Sequence, residues 1–470
     1  MATTPTASTE APAPTVVEQI ADYALRAQLE DLSPLSMQQI PIHMLDSIGC
    51  QIAALGEDGI NACHDQLQEF GPSGEIDLIA GGTSNPIFAA FWHTALVRYV
   101  DAMDNILAPT ETAHTADNFG GIWTAAVGAK ASGKDLMLGV ALGWSVQSLL
   151  VEHGNFMSAG FDHTAQLAFS IPAAAGRLMG MPREQIAHAI AIAASSDASF
   201  ANIRAKPLSQ WKGLASAQSA LGAFNALYLA KRGVQGPLEI VEGANGIDHL
   251  LGRPLTIDWA HANYEGVATA TIKKFVAMIH TQSAIECMLE LLAKTPVAAD
   301  SVISIEADVP QITFDFSGGG LYGNASSDIT TKPQADHSLP YLLAVALLDG
   351  QVMLPQFTPA RINSSDVQTL LKKVVVRPDK QFTKLYPKDF CARIIIRTTD
   401  GKVLQHEVTN YPGMPSHPFT WADVVDKFDK LTAGNVSAQL SSEIKDVVKN
   451  IGDHQVSDLQ KLLSAIPYPG

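Results

Sequence analysis

Residues 84–131, SNPIFAAFWHTALVRYVDAMDNILAPTETAHTADNFGGIWTAAVGAKA, set two apolar helical runs on either side of a polar joint. Ser84 or Asn85 supplies an N-cap and Pro86 sits just inside the first turn, so a helix starts there. The second run, FGGIWTAAVGAKA, is small and apolar, and Asp117 or Asn118 stands where a cap for it belongs. Between the runs, Asp101 and Asn105 are four residues apart, the spacing of one turn on a common helix face. A loop carrying His114 follows. Capping and solvated loop positions account for Asp117 and Asn118 without any chemistry, and a lone His114 reads as a structural histidine. What calls for more is the setting: a chain 47% hydrophobic and 17% charged concentrates its polar groups in this joint.

The same texture extends outward. From about residue 15 to 270 the chain reads as helix after helix rich in Ala, Leu, Ile and Gly, broken at EFGPSGE, AGGTSNP and RGVQGP. SGKDLMLGVALGWSVQSLLVEH starts after Ser132-Gly133, and MPREQIAHAIAIAASS again places Pro early. After residue 270, VISIEADVP, KKVVVRPD and CARIIIRTTDGKVLQHEV carry the β-branched content of strands, with TDGK as a hairpin turn. Two helices, 278–295 and QADHSLPYLLAVALLDG, fall among them. The expected fold is mainly α with an α+β second domain. A tail (1–14) without structure leads into a large all-helical domain (15–270). A smaller α/β lid domain (271–410) follows, and C-terminal helices (411–470) pack back on the helical part.

With 31 basic against 47 acidic residues the net charge is −16, and no Lys/Arg cluster stands out, so nucleic acid and anionic membranes are not expected partners. The N-terminus lacks Arg and an apolar core segment and reads as neither signal nor transit peptide. The longest apolar runs are interrupted by Gly, Ser, Gln or Asp and read as buried helices rather than membrane spans. Four scattered cysteines, without a CxxC pair, point to free thiols in a reducing compartment such as the cytoplasm. There is no GxGxxG after a strand, no GxxxxGK[ST], no HExxH, and GWS lacks the second glycine of a nucleophile elbow. No cofactor and no metal is expected.

Four further polar joints accompany the first. In GFDHTAQLAFS, Asp162 and His163 stand at the mouth of an apolar helix, with N-capping the plain reading of Asp162. In NIRAKPLSQWKGLASAQSA, Arg204, Lys206 and Lys212 are three of few basic groups. Lys212 opens a small-residue helix beside Trp211, where desolvation would lower its pKa and suit carboxylate binding or proton transfer; a solvated lysine at a helix start is the competing reading. His280 lies at the junction into the α/β part. Tyr322 lies in a Gly-rich loop and His337 at a helix start. Together these place histidines, a lysine, an aspartate and a tyrosine at element ends, where clefts form.

VRYVDAMDNILAPTETAHTADNFGG, GFDHTAQLAFS, SQWKGLASAQSA, KKFVAMIH and ADHSLPYLLAVALLDGQV resemble, in order and spacing, the motif blocks of the MmgE/PrpD family over about residues 15 to 430. That family includes 2-methylcitrate dehydratase, cis-aconitate decarboxylase and an iminodisuccinate epimerase. The resemblance implies a homodimer with its active site in the domain cleft, acting on a small polycarboxylate. Carried over by position, Asp101, His114, His163, Lys212, His280 and Tyr322 are the catalytic candidates, with Asn105, Arg204, Lys206 and Lys212 binding substrate. The chain has Asn105 where Thr or Ser is frequent in the family, and HTADN where HPSDN is common.

These reactions share an intermediate with negative charge beside a carboxylate, which Lys, His and other donors must stabilise in a dry cleft. On this reading Lys212 and His163 bind carboxylates, with Arg204 or Lys206 assisting, and Asp101 orients a neighbour or acts as base. His114 and His280 transfer protons, and Tyr322 closes from the lid. The expected reaction is hydro-lyase chemistry of the 2-methylcitrate dehydratase kind, towards which the ADHSLPY and SQWKG blocks lean. Carboxy-lyase or epimerase chemistry is the alternative, and a catalytically silent carboxylate-binding scaffold stands behind both.

Overall fold

The structure, a computed structural model, describes residues 13–70, 73–109, 111–204, 209–320 and 329–469. Lys206 and Tyr322 lie outside the described residues. The main helices of the first part are α1 (Val16–Arg26), α2 (Pro34–Ala54), α3 (Asp58–Glu69), α4 (Pro86–Tyr99), α5 (Phe119–Gly128), α6 (Gly133–Gly154), α7 (Leu167–Leu178), α8 (Arg183–Ser196) and α9 (Ala215–Ala230), with two short turns of helix at Ile247–Leu251 and Gly266–Thr269. The starts follow the local chemistry. The Asn85 side chain accepts from the Ile87 and Phe88 amides, both at 3.1 Å, and Ser132 caps α6 through Asp135 N–H. Pro182 is the N-cap of α8 rather than a residue of its first turn, because its extended ψ of 157° belongs to the flanking position.

Small residues let these helices approach closely. A Cβ added at Gly120 of α5 would lie 2.3 Å from the Thr94 backbone nitrogen of α4, and one at Gly143 of α6 would lie 2.6 Å from Ile122 Cδ1 of α5. α6 is long and apolar enough to cross a membrane by composition, although interrupted runs of this kind read as too short. In the fold 83% of that window is buried, and it packs on α5 and α7 as a core helix.

After α10 (Gln282–Lys294) the chain builds a four-stranded sheet from β1 (Val302–Val309), β2 (Val374–Pro378), β3 (Ala392–Thr398) and β4 (Val403–Val408), in the order β2-β1-β3-β4. β1 and β2 run parallel, with Ile305 opposite Val374, while β1–β3 and β3–β4 are antiparallel. The β3–β4 hairpin turns at Thr399-Asp400-Gly401-Lys402, where Gly401 takes φ +83°. The helix α11 (Leu339–Asp349) lies in the crossover from β1 to β2, and α10 covers β3 and β4. The last helices are α12 (Trp421–Thr432), α13 (Ala438–Lys449) and α14 (Val456–Ser464). α12 and α13 pack on α2, and α14 on α5.

Gly120→Ala is expected to destabilise the protein by about 2 kcal/mol or more. The atom it would meet is α4 main chain, which cannot rotate away; urea unfolding of the variant measures the loss.

Candidate functional site

The helix carrying the first candidate ends earlier than the i, i+4 spacing implied. α4 stops at Tyr99, and Asp101 takes the left-handed conformation with φ +57°. Asp101 and Asn105 therefore do not share a helix face. They bracket a turn whose far end, Asn105, exchanges both backbone hydrogen bonds with Thr271, at 2.8 and 2.6 Å. A residue in this region is strained unless its surroundings over-determine it.

The surroundings are cationic. The Asp101 carboxylate accepts from Arg98 Nη1 (2.9 Å), Lys212 Nζ (2.9 Å) and Lys273 Nζ (2.8 Å), and Lys273 also donates to the Asp101 carbonyl at 2.7 Å. His114 Nε2 stands 3.8 Å from the same carboxylate. Arg98 and Lys273 are each 1% exposed. Burial alone would raise the Asp101 carboxyl, but Arg98, Lys212 and Lys273 outweigh it and hold it well below the usual carboxylate range. Burial lowers the Lys212 and Lys273 ammonium groups against the pull of Asp101. Three cations thus converge on one carboxylate, and Asp117 lies on the other side of Arg98, 4.0 Å from its Nε.

Lys212 lies in a 3-10 turn, Gln210–Gly213, ahead of α9 rather than inside it. Neighbouring Trp211 is 45% exposed, while the Lys212 side chain itself is only 14% exposed. Its second partner is His337 Nε2 at 3.0 Å, and His337 Nδ1 is hydrogen-bonded to Asp336. Burial, followed by Lys212, lowers the His337 imidazole. An Asp336–His337–Lys212 chain thus ends at Asp101, with both elements of the ADHSLPY and SQWKG blocks in contact.

His114 is fixed by the aspartate three residues beyond Asp101. Asp104 accepts from His43 Nδ1 (2.6 Å), Trp144 Nε1 (2.7 Å), Thr115 Oγ1 (3.0 Å) and the Ala116 amide (2.7 Å), and so holds the turn that presents His114. The Asp104 carbonyl takes the His114 Nδ1 hydrogen at 3.0 Å, which leaves Nε2 as the lone-pair nitrogen. Burial, then Arg98 and Lys273, hold the His114 pKa well below its ordinary value, so this imidazole is neutral.

Asp117 and Asn118 are not the caps their spacing suggested. The 3-10 turn Thr115–Asn118 runs directly into α5, and Asn118 donates to Thr115 O and Gln147 Oε1 instead. Asp117 is fully buried, accepts from Ser216 Oγ at 2.6 Å, and lies 3.5 Å from His163 Nε2. The His114 and His163 rings meet edge-on at 5.0 Å. Asp162 does cap its turn, through Thr164 N–H at 3.1 Å, and it also binds Arg204 through both oxygens at 2.7 and 2.9 Å. Arg204 is therefore spent on Asp162 and steadies His163, whose Nδ1 lies 3.5 Å from Arg204 Nη2.

His280 makes no hydrogen bond or ion pair with Asp101. Its ring sits among Phe316, Tyr386 and Phe390, and burial, with Lys273 and His337 nearby, pushes it down to about 3. Several buried polar atoms here make no hydrogen bond: Arg98 Nε and Nη2, Asp117 Oδ1, His163 Nε2, Asn105 Oδ1 and His280 Nδ1. Arg98 Nε and His163 Nε2 instead face the Asp117 carboxylate, at 4.0 and 3.5 Å. Among the described residues no group of three or more His, Cys, Asp or Glu is placed to hold a metal ion.

Arg98, Lys273, Asp104 and Asp336 escaped the sequence reading. Arg98 ends an ordinary amphipathic-looking run and Lys273 sits in a KK pair, so neither spacing distinguishes them from surface charges. Glu111, 2% exposed, is a further case: burial pushes it up to about 7 although Phe156 N–H and Gln166 donate to it.

Asp101→Asn removes one charge from among three cations and is expected to cost about 3 kcal/mol. Because the carboxyl is depressed in the folded state, this difference should stay constant from pH 8 to about 4 and shrink only as pH falls further. Denaturant unfolding of both proteins across that range measures it.

Residues 18–260 match the MmgE/PrpD N-terminal domain and residues 275–453 the MmgE/PrpD C-terminal domain. The mitochondrial 2-methylcitrate dehydratase of Yarrowia lipolytica is 26% identical over 430 residues, covering 84% of this chain and 79% of its own. The 2-methylcitrate dehydratase of Salmonella typhi is 24% identical over 84% of this chain and 85% of its own. The alkylcitrate dehydratase phiI of a fungal species is 23% identical over 88% and 86%. With both domains matched in order over most of its length, the chain belongs to the MmgE/PrpD family.

Proposed function

We propose that this protein is a hydro-lyase that removes water from 2-methylcitrate or a close tricarboxylate analogue. The observation that carries the reading is the Asp101 centre: a carboxylate held by Arg98, Lys212 and Lys273, with neutral His114 beside it. The names of the relatives support the same substrate class. These cations bind substrate carboxylates and stabilise the charge that develops when the adjacent carbon loses its proton.

His114 Nε2 has the lone pair and the neutral state that a general base requires. It takes the proton from the carbon α to a substrate carboxylate, and the electron pair left behind forms the double bond as the β-hydroxyl departs. Lys212 Nζ, linked to His337 and Asp336, supplies the proton with which that hydroxyl leaves as water. His163, between Asp117 and Arg204, orients a second carboxylate. His280, set among Phe316, Tyr386 and Phe390, makes no hydrogen bond or ion pair with Asp101 and is assigned no step as first base. The carboxylate of Asp101 is already taken up by three cations, which leaves it a poor metal ligand, so turnover should survive a chelator. The four buried cysteines are all free, as suits a reducing cytoplasm.

Incubation with 2-methylcitrate in the presence of EDTA should produce an unsaturated tricarboxylate, followed by ultraviolet absorbance, without carbon dioxide. Release of carbon dioxide would instead favour a carboxy-lyase, and no turnover on 2-methylcitrate, citrate or cis-aconitate would overturn the reading. Lys212→Ala and His114→Ala should each lower kcat by about 100-fold or more while unfolding stays near the wild-type midpoint. The acid limb of kcat/KM should fall well below pH 6.5, because activity is lost when His114 gains a proton and its folded-state pKa is depressed. An acid limb at or above 6.5 would exclude His114 as the base.

A further inference from the structure

The Asp101 turn is gripped from a side that faces no substrate. Lys427 of α12, 2% exposed, reaches between two helices to donate to the Ala102 carbonyl at 2.7 Å, and pairs at 2.5 Å with Asp46 of α2, itself 1% exposed. One turn earlier on the same face of α2, His43 holds Asp104. α12 lies close enough on α2 that a Cβ at Gly49 would meet Phe428 Cδ2 at 3.2 Å.

A buried ion pair is weak support for stability, because its desolvation offsets much of its attraction, and apolar replacements of similar size are often neutral. Its placement says more. Asp101 is left-handed, and the two carbonyls of residues 101 and 102 each receive a buried ammonium, Lys273 on the first and Lys427 on the second. These two bonds fix the planes of the two peptides on either side of Ala102; the first of them adjoins the Asp101 Cα, so Lys427 steadies the Asp101 side chain through the single residue between them. The Lys273 ammonium also touches the carboxylate, whereas Lys427 bonds only main chain and Asp46.

We propose that Lys427, held by Asp46, is a positioning residue that locks the Asp101–Asn105 turn so that the carboxylate stays between Lys212 and Lys273. The C-terminal helix α12 thereby contributes to the reaction without touching substrate. The inference rests on the Asp101 centre being the reaction site.

The test compares Lys427→Met, Asp46→Leu/Lys427→Met and Lys427→Arg in the full-length protein. Loss of one partner alone should lower the unfolding midpoint, and the double apolar variant should recover most of it. The double variant should nevertheless keep a near-normal KM for 2-methylcitrate while kcat falls by about 100-fold, the usual consequence of a small misplacement of a catalytic group. Lys427→Arg, which keeps the charge and a donor, should restore much of kcat. A folded double variant with wild-type kcat would overturn the proposal, as would an activity loss that disappears when each variant is assayed equally far below its own midpoint. If the double variant does not fold, Lys427→Arg decides, since wild-type stability with kcat as low as Lys427→Met would also overturn it. Should the wild-type protein not dehydrate 2-methylcitrate, the reaction assignment fails separately. Hydrogen exchange then reads the positioning claim: amides 102–105 exchange faster in Lys427→Met with α2 and α12 still protected, and unchanged exchange there refutes it.

Discussion

The carboxylate of Asp101 is the constraint on which the site depends. Arg98, Lys212 and Lys273 are buried or nearly so, and three cations brought together in a low-dielectric cleft would repel one another and lose their hydration. One ionised carboxylate at 2.8–2.9 Å from each, with Asp117 4.0 Å from Arg98 Nε, makes the arrangement tolerable. A cluster of cations of this kind suits a ligand that brings several negative charges. The surface is acidic overall, with a net charge of −16, so the cleft attracts such a ligand by its local field against the global one.

Holding that carboxylate in place requires more of the fold than the contacts themselves. The turn after α4 is left-handed at a residue with a side chain, and each of its groups is answered by a different part of the chain. α2 provides His43, α6 provides Trp144, the segment before α10 provides Thr271 and Lys273, and α12 provides Lys427. Asp104, with four donors, turns this local strain into a fixed direction for His114. The division of labour between the two neighbouring aspartates is then clear: Asp104 takes four donors from three parts of the chain and serves structure, while Asp101 is surrounded by Arg98, Lys212 and Lys273.

The same logic separates the histidines. His114 donates through Nδ1 to a carbonyl and keeps Nε2 free, whereas His337 accepts from Lys212 and is backed by Asp336. Two imidazoles of one chemical type therefore present opposite faces of proton transfer, one taking and one relaying. His280 lies in an aromatic wall, which is the environment that most strongly disfavours its charge.

Much of this was legible from residues alone. Caps and small-residue patterning place α4 and α6, β-branched runs place all four strands, and the crowding of polar groups between apolar helices marks the joint. These follow from interactions within a few residues, which any stretch of sequence displays. What the sequence could not show is which charges meet. Asp101 and Asn105 have helical spacing, but the chain leaves the helix at Tyr99 because tertiary partners at Thr271 and Lys273 outweigh local propensity. Asp117 looks like a cap and is instead a buried partner of Ser216. Arg98, Lys273 and Lys427 look like ordinary surface cations, and only long-range packing, across as many as 325 residues for Lys427 and Ala102, desolvates them and gives them a role. Local periodicity thus determined the elements and the location of the chemistry, while burial and charge pairing, which depend on contacts between distant segments, decided its geometry.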